Sequence, residues 1–210
     1  MEMVRSKAEL DEFLETWRHQ REHVALVPTM GNLHEGHLSL VELAAEHAER
    51  VVVSVFVNPT QFGEGEDYDE YPRTLKRDTQ RLRKIDADVL FAPTVETVYP
   101  FGLENATMIT VPGLTQNFCG ASRPGHFDGV TTVVGRLFAL VRPDVAVFGQ
   151  KDYQQQLVIR HMTKDLGLPI RIITAPTVRD PDGLAKSSRN QYLTDEERSI
   201  APQLYATLEA

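Results

Sequence analysis

The sequence predicts an α/β protein built on a doubly wound parallel sheet with helices on both faces. Short apolar segments rich in β-branched residues alternate along the chain with segments whose apolar residues recur at helical spacing. The segment RVVVSVFV at 50–57 is apolar almost throughout, which is typical of a central strand covered on both faces. After Pro176 the alternation gives way to turn-rich and basic stretches, so we predict two domains, 1–176 and 177–210.

The composition limits the classes of function that the chain can serve. Its 210 residues are 41% hydrophobic and 25% charged, which is ordinary for a globular protein, and the formal net charge is -8. An acidic chain of this kind does not suit a general nucleic-acid or anionic-membrane surface. No apolar run reaches the ~18 residues of a membrane helix, and the polar residues 1–15 do not resemble a signal peptide. We therefore expect a soluble, cytoplasmic protein.

Apolar spacing and end signals place the elements of the first half of the chain. A helix over 6–19 begins with Ser6 as N-cap and Glu9 three residues later, the two side chains of a capping box. The further predictions are strands at 23–28, 50–57 and 89–92, a helix from His34 or Gly36, a charged helix over 71–85, and one helical turn before Tyr99. Residues 107–111 are an additional candidate strand.

The second half of the chain continues the alternation. A helix over 125–141 carries an apolar stripe, and its Gly129 and Gly135 predict close packing against a neighbouring segment. The remaining predictions are a strand at 144–148, a helix from 152 to about 166, a strand at 170–174 and a helix over 194–209. The apolar residues of the last helix form a stripe that needs a packing partner, namely Ile200, Leu204 and Leu208.

The stretch VPTMGNLHEGH at 27–37 carries the clearest chemical signal in the sequence. A buried strand ends at Pro28, a glycine-containing turn follows, and a helix begins, so unpaired backbone N–H groups and the positive end of the helix dipole meet there. His34 and His37 lie three residues apart on one face of that first turn, and Gly36 leaves room for a ligand. This pattern predicts a phosphate site with two imidazole donors.

Two other interpretations of the histidine pair remain open. A zinc site needs at least three protein ligands, and the metalloprotease pattern His-Glu-x-x-His is one residue longer than this one. The single cysteine, Cys119, provides no CxxC knuckle and no disulfide, and we expect it to be a small, partly buried hydrophobic residue. The second interpretation is a pair of ordinary surface histidines near a helix start.

Two cationic segments are expected to join the histidines. GQKD at 149–152 follows a predicted strand, and KSSR at 186–189 lies in a basic loop, whereas the Gly-x4-Gly-Lys-Ser/Thr of a P-loop is absent from the sequence. Adenylyl transfer builds negative charge on phosphate oxygens, so positioned cations such as Lys151 suit that chemistry. Gln61 follows the central strand and can bond a hydroxyl or a carboxylate, although a solvated loop position is the alternative.

With these residues in place, the sequence resembles the pantoate–β-alanine ligase (pantothenate synthetase) family of the HxGH nucleotidyltransferase superfamily. The matching stretches span nearly the whole chain in the order of the family: PTMGNLHEGH (28–37), FVNPTQFGEGEDYDEYPRT (56–74), RPGHFDGVTTVV (123–134), FGQKDYQQ (148–155) and GLAKSSRNQYL (183–193). The resemblance implies a Rossmann-like domain that condenses pantoate with β-alanine through a pantoyl adenylate, using ATP and releasing pyrophosphate and then AMP.

The resemblance also implies the roles of individual residues. The expected nucleotide-binding residues are Met30, Gly31, Asn32, Leu33, His34, Glu35, Gly36, His37, Gly149, Gln150, Lys151, Asp152, Val178, Lys186, Ser187, Ser188 and Arg189. The expected catalytic residues among them are His37, which the family marks as proton donor, and His34, Lys151, Ser187, Ser188 and Arg189. Gln61 and Gln155 are expected to hold pantoate. Mg²⁺ is implied by the chemistry, and Asp78 is a candidate for its neighbourhood.

Further expectations from the family concern assembly and the end of the chain. The resemblance suggests a homodimer, and family members continue beyond the length of this sequence to complete a small C-terminal lid, so we expect 177–210 to be the first part of that lid. Lys186 stands where the family more often has an apolar residue such as Met. Two alternatives remain: a nucleotidyltransferase that moves AMP or CMP onto a phosphorylated acceptor, and a weakly active or non-catalytic nucleotide-binding fragment.

Overall fold

Six parallel strands form one sheet in the order β1-β4-β3-β2-β5-β6. The computed structural model describes residues 1–85 and 87–210. The strands are β1 (Glu2–Val4), β2 (Val24–Thr29), β3 (Arg50–Val55), β4 (Val89–Phe91), β5 (Val145–Gly149) and β6 (Arg171–Ala175). The predicted doubly wound parallel sheet is therefore confirmed. The strand order reverses between β2 and β5, and ligands of such sheets bind where it does.

Helices cover both faces of the sheet. They are α1 (Lys7–His19), α2 (Glu35–Ala45), α3 (Leu75–Leu82), α4 (Val95–Val98), α5 (Cys119–Ser122), α6 (His126–Val141), α7 (Tyr153–Asp165), α8 (Asp195–Ile200) and α9 (Gln203–Glu209). Alternate residues of β2 belong to opposite cores: Val24 and Leu26 to the core that includes α1, α6 and α7, Ala25 and Val27 to the core that includes α2. Both faces of the central strands are thus buried, as their apolar sequence predicted.

Local signals explain where several helices begin and end. The predicted capping box of α1 is present, with Ser6 bonded to the backbone N–H of Glu9 and the Glu9 carboxylate bonded in return to the backbone N–H of Ser6. α6 begins after Gly125, whose φ of +78° suits a residue without a side chain. The predicted close packing of α6 is confirmed, because a Cβ on Gly129 would collide with the Thr60 carbonyl and one on Gly135 with the Ile109 side chain.

Some predicted elements were wrong, and tertiary contacts explain why. Residues 107–111 form no strand; the backbone N–H of Ile109 instead bonds to the Thr132 hydroxyl, and its carbonyl accepts from Thr131. Three-residue β1 was missed because only Val4 of that strand is buried. The charged helix begins at Leu75 rather than 71, since Pro72 disfavours helical backbone before it.

The C-terminal part of the chain also departs from prediction. The helix predicted over 194–209 is interrupted at Pro202, which lacks the backbone N–H that would bond within a continuous helix, so α8 and α9 are separate. The stripe on these helices stays exposed: Ile200 by 51%, Leu204 by 73% and Leu208 by 78%. Cys119 is exposed rather than partly buried, because it begins the short helix α5 on the surface. Within residues 1–85 and 87–210, no helix is long and apolar enough to cross a membrane.

Candidate active site

A cavity of about 210 Å³ opens at the carboxyl edge of the sheet, where β2 and β5 are neighbours. The three segments singled out in the sequence reach this cavity, together with both glutamines. The predicted site residues that line it are Met30, His34, Gly36, His37, Gln61, Gly149, Lys151, Asp152, Gln155, Val178, Lys186, Ser187, Ser188 and Arg189. The fold therefore brings residues from four separate parts of the chain into one space.

One buried carboxylate holds the histidine turn, residues 30–37, from beneath. Asp78 of α3 is fully buried, and its two oxygens accept hydrogen bonds from the backbone N–H groups of Asn32 at 3.0 Å and Leu33 at 2.9 Å. The Thr74 hydroxyl donates to the same carboxylate. Gly31 and Asn32 adopt positive φ angles of 86° and 48°, a conformation in which glycine is favoured and asparagine is tolerated. Asp78, which lies 46 positions after Asn32 in the sequence, thus holds the turn in place.

Backbone donors determine which nitrogen of each imidazole carries the proton. Nδ1 of His34 accepts from the Gly36 N–H at 3.1 Å, and Nδ1 of His37 accepts from the His34 N–H at 3.3 Å. A backbone N–H can only donate, so the proton of each neutral ring resides on Nε2. The two rings pack with their centroids 4.0 Å apart. Each histidine can therefore donate one hydrogen bond from Nε2 without carrying charge.

Burial keeps both histidines neutral at pH 7. Burial, reinforced by the charge of Lys151, lowers the pKa of His34 to about 4. Burial also lowers the pKa of His37 to about 3, with the neighbouring His34 and then Lys151 as further causes. Lys151 belongs to a turn directly after β5 and lies with Nζ 3.3 Å from the Asp152 carboxylate. Positive charge at this site thus comes from lysine and arginine side chains and not from imidazolium.

The basic segment, residues 186–189, is docked beside the histidine turn. Lys186 Nζ lies 2.6 Å from the Asp180 carboxylate and 3.4 Å from that of Glu35 on α2. The Ser188 hydroxyl donates to the Asn32 carbonyl at 3.1 Å. The extra cation noted in the sequence is consequently neutralised by two carboxylates in this arrangement.

Arg189 is paired with the acidic loop that follows β3. Its guanidinium makes two hydrogen bonds to the Asp67 carboxylate, at 2.8 and 3.0 Å, and lies 5.6 Å from the centre of the Tyr71 ring. The Ser187 hydroxyl accepts from the Arg189 N–H and begins the short helical turn that follows. Arg189 is therefore already oriented before any ligand binds.

The two glutamines are held very differently. Gln61 lies in a turn after β3 and is only 9% exposed, so the alternative of a solvated loop residue is wrong. Its side-chain oxygen accepts from Asn58, and its side-chain nitrogen lies 3.2 Å from the Met30 sulfur. Gln155 of α7 is half-buried, and its side chain makes no hydrogen bond to any residue in the described part of the chain.

The apolar wall of the cavity was not recognised as part of the site. Valines and a leucine of α6, whose spacing predicted only a buried stripe, face the cavity together with aromatic side chains. These residues are Leu40, Phe56, Tyr71, Val130, Val133, Val134, Leu137 and Phe148. Helical spacing could indicate that the stripe is buried, but it could not indicate that it is buried beside a ligand cavity.

Five of the predicted nucleotide-binding residues do not line this cavity. Gly31 and Asn32 form the turn itself, and Leu33 is 1% exposed in the core beneath α2. Glu35 pairs with Arg81 and Lys186, and Gln150 is exposed on the turn after β5. Their contact with a nucleotide stays a prediction, in which their backbone rather than their side chains would take part.

The magnesium neighbourhood predicted at Asp78 does not fit this geometry. Both oxygens of Asp78 accept hydrogen bonds from protein groups, and the carboxylate is completely buried. Among residues 1–85 and 87–210, no group of three or more histidine, cysteine, aspartate or glutamate side chains is arranged to hold a metal ion. The zinc interpretation of His34 and His37 gains no third ligand among those residues either.

This fold and site define a class: an α/β nucleotide-binding protein with an HxGH turn at the switch point of its sheet. Comparison with known proteins then gives the family. A family model described as pantoate-beta-alanine ligase matches residues 2–210. The pantothenate synthetase of Marinobacter nauticus is 56% identical over 208 residues, which are 99% of this chain and 74% of that protein. This chain belongs to the pantoate–β-alanine ligase family.

Solved structures of relatives agree in fold over the whole chain. The pantothenate synthetase of Thermus thermophilus is 56% identical with a TM-score of 0.94, and the match covers 100% of this chain and 74% of that one. The pantoate-beta-alanine ligase of Francisella tularensis, complexed with beta-gamma ATP and beta-alanine, is 39% identical with a TM-score of 0.93. That match covers 100% of this chain and 80% of the other.

Proposed function

We propose that this chain catalyses the ATP-dependent condensation of pantoate with β-alanine, which yields pantothenate, AMP and pyrophosphate. Membership of the family supports this activity, as does the Francisella relative, whose structure is a complex with a nucleotide and β-alanine. The observation that carries the proposal is the shared cavity, where neutral imidazole donors, three cationic side chains, two amides and an apolar wall meet. A phosphorylated acceptor would need cations beside the amides, whereas pantoate is a hydroxy acid that amides can bind.

In the first step a carboxylate oxygen of pantoate attacks the α-phosphorus of ATP. The bond from that phosphorus to the bridging oxygen breaks, and pyrophosphate leaves with the electron pair. His34 and His37 donate hydrogen bonds from Nε2 to phosphate oxygens, and His37 is the residue that the family marks as proton donor. Lys151 stabilises the charge that develops, by up to about 4 kcal/mol at ~4 Å in a partly exposed site. Ser187, Ser188 and Arg189 bind the triphosphate from the basic segment, which lies beside the histidine turn.

In the second step the amine of β-alanine attacks the acyl carbon of pantoyl adenylate. The carbon–oxygen bond to AMP breaks, the amide bond forms, and the proton that the amine loses passes to the departing phosphate of AMP or to water. Gln61 and Gln155 hold the pantoyl group through its oxygens, while the valines of α6 pack against its methyl groups. The same apolar wall keeps water away from the acyl carbon, since a mixed anhydride hydrolyses readily.

Mg²⁺ enters this proposal as part of the substrate. Magnesium retains several waters and commonly binds through one or two carboxylates together with substrate phosphates. Because the described residues provide no protein-only metal cluster, we propose that the ion arrives on the triphosphate of ATP. The ion then neutralises phosphate charge, and the side chains of this chain bind the substrates and donate the hydrogen bonds described above.

Assignments of location, assembly and domain roles complete the proposal. We propose that the protein acts in the cytoplasm as a homodimer, as its family relationship suggests. Residues 177–210 act as the part of the lid that carries the basic segment, and they contact the first domain through Ser188 and Arg189. Residues 1–176 carry the sheet and the apolar half of the cavity.

The decisive experiment measures pyrophosphate release from ATP with and without pantoate, followed by AMP release on addition of β-alanine. We expect both products, and a loss of about a hundredfold or more in His37→Ala, because a positioned transition-state donor is removed. The matched control is His161→Ala, which alters an exposed histidine of α7. Release that does not depend on pantoate, or a His37→Ala variant as active as the control, would overturn the proposal.

A further inference from the structure

Beneath the pantoate side of the cavity lies a chain of three buried polar side chains. Tyr99 is 2% exposed, Asn58 1% and Gln61 9%. The Tyr99 hydroxyl donates to the Asn58 side-chain oxygen at 2.7 Å, and the Asn58 side-chain nitrogen donates to the Gln61 side-chain oxygen at 3.2 Å. Only Gln61 of the three lines the cavity. Such a chain matters because an amide can present either a donor or an acceptor to its surroundings.

Neighbours with only one hydrogen-bonding role fix the orientation of the Asn58 amide. On one side the backbone N–H of Thr60, which can only donate, lies 3.4 Å from the side-chain oxygen. On the other side the backbone carbonyl of Gly129, which can only accept, lies 3.1 Å from the side-chain nitrogen. In the opposite orientation the Asn58 nitrogen would face the Thr60 N–H, which is also a donor, and the Asn58 oxygen would face the Gly129 carbonyl, which is also an acceptor. The Asn58 oxygen therefore receives the Tyr99 hydroxyl, and its nitrogen faces Gln61.

This orientation decides which end of Gln61 faces the ligand. The Gln61 side-chain oxygen already accepts a hydrogen bond from the Asn58 nitrogen, so the NH₂ group of Gln61 is the end that is available to a ligand. One N–H of that group lies toward the Met30 sulfur, at 3.2 Å, which leaves the second N–H for a ligand. Because its oxygen is turned toward Asn58, which is 1% exposed, Gln61 presents a donor to the cavity. By contrast, Gln155 has no such partner among the described residues and can present either end.

The backbone of the turn that contains Gln61 is anchored separately from these three side chains. The imidazole Nδ1 of His126 lies 2.7 Å from the Gln61 carbonyl, and Gly129 lets α6 approach the turn so closely that a Cβ would collide with the Thr60 carbonyl. Removing the Tyr99 hydroxyl should therefore leave the turn in place and loosen the amides alone. Burial raises the pKa of Tyr99, so the group is a protonated donor throughout the neutral range.

We propose that Tyr99 is a positioning residue that acts through Asn58 to make Gln61 a donor only, so that this subsite selects an oxygen acceptor of the substrate. The proposal rests on the proposed function, in which that substrate is pantoate and the acceptor is a carboxylate or hydroxyl oxygen. A ligand that offers only an N–H or O–H donor at this point is rejected, because it would meet a second donor. Tyr99 itself does not contact the substrate.

The test compares Tyr99→Phe with wild type by calorimetric pantoate binding and by steady-state kinetics of pyrophosphate release. Loss of one buried hydrogen bond corresponds to about a tenfold weaker Kd and higher KM for pantoate, with the KM for ATP unchanged within about twofold. The control for a merely structural effect is Thr163→Val, which removes a buried hydroxyl hydrogen bond to the Ile159 carbonyl far from the site. That variant should lose stability and keep the wild-type Kd for pantoate.

A double-mutant cycle with Thr60→Val tests transmission through Asn58. The hydroxyls of Tyr99 and Thr60 both contact the Asn58 oxygen, so each partly compensates for the loss of the other. We expect the double variant to weaken pantoate binding by more than the product of the single effects. Thr60→Val alone still tests the inference if Tyr99→Phe does not fold. The inference would be overturned by an unchanged Kd for pantoate or by equal rises in the KM values for pantoate and ATP. It would also be overturned by a double variant whose effect equals the product of the single effects.

The outcomes also separate this inference from the proposed function. Wild-type protein that binds pantoate but releases no pyrophosphate would refute the ligase activity, while the Kd values would still decide the role of Tyr99. Wild-type activity with an unaffected Tyr99→Phe variant would refute the positioning role alone. A wild-type protein that binds no pantoate would overturn both.

Discussion

The histidine turn and the basic segment face the same cavity but are held in place by different kinds of contact. The histidine turn rests on Asp78, a fully buried carboxylate that accepts two backbone N–H groups. The basic segment is held by ion pairs whose side chains are 20–55% exposed: Lys186 with Asp180 and Glu35, and Arg189 with Asp67. Buried hydrogen bonds of the first kind are costly to break, whereas exposed ion pairs of the second kind contribute little.

This difference separates two tasks within one site. The imidazoles must be placed to within a fraction of an ångström of the reacting phosphate, so their turn is built into the sheet edge and its core. The basic segment must release its carboxylate partners when a triphosphate arrives, and weakly held cations can exchange partners at small cost. The comparison therefore predicts large effects on the buried side and small, salt-sensitive effects on the exposed side.

The largest effect is expected for Asp78→Ala. This change leaves the buried N–H groups of Asn32 and Leu33 without acceptors, and the free energy of unfolding should fall by about 3 kcal/mol or more. Urea unfolding measures the change, and pyrophosphate release should fall with it because the histidine turn loses its support. The control is Asp69→Asn in an exposed part of the acidic loop. Equal stabilities of the two variants would contradict the role given to Asp78.

A somewhat smaller effect is expected for Gly129→Ala, which places a methyl group against the backbone of the Gln61 turn. Overpacking of this kind costs about 2 kcal/mol, and the displaced turn should also weaken pantoate binding. Gly135→Ala is the matched control on the same helix, because its methyl group would meet the movable end of the Ile109 side chain instead. Gly129→Ala should therefore unfold at lower urea than Gly135→Ala, and the reverse order would argue against a rigid turn.

The pH dependence of stability provides a third test of the buried side. The folded-state pKa of His37, about 3, is far below the unfolded value near 6.5, so the folded state binds fewer protons between those limits. The neutral histidine imposes no stability cost above pH 6.5, and stability is lost as the pH falls from 6.5 toward 3. Replacing His37 with Gln should remove about 1–2 kcal/mol of the difference between pH 7 and pH 5, measured by urea unfolding. An unchanged difference would contradict a neutral, half-buried His37.

The smallest effect is expected for Asp67→Asn on the exposed side. The Arg189 side chain is 46% exposed, so loss of its ion pair should change the free energy of unfolding by less than about 1 kcal/mol. Salt near 0.5 M should reduce even that difference, because it screens exposed charges. Urea unfolding at low and high salt measures both values. A loss as large as that of Asp78→Ala would show that the two regions are held alike.

Sequence patterns predicted most of the fold because those patterns are local. The capping box at Ser6 and Glu9 and the apolar runs of β2 and β3 each lie within a few consecutive residues. The failures occurred where distant contacts compete with local preference. Ile109 lies in a β-branched run, yet the hydroxyls of Thr131 and Thr132 take its backbone hydrogen bonds and no strand forms.

The candidate site was predictable to a similar extent. Residues that belong to recognisable motifs, such as His34, His37 and Lys151, line the cavity. The roles that Asp78 and Tyr99 have in the structure lie outside those signals, because a carboxylate in a charged helix and a tyrosine before a proline have no local feature that indicates such roles. Asp67 stood within a matching stretch, but nothing in the sequence indicated that it pairs with a residue 122 positions away.

The sequence by itself determined the alternation of strands and helices, the glycine turn that ends in two histidines, and the family to which the chain belongs. Only the tertiary structure decided the protonation site of each imidazole, the burial of Asp78 and the donor role of Gln61. The physical reason is that periodicity and turn chemistry act between near neighbours. A hydrogen-bonding role, by contrast, is set by whichever group packing brings opposite, however far away it lies in the sequence.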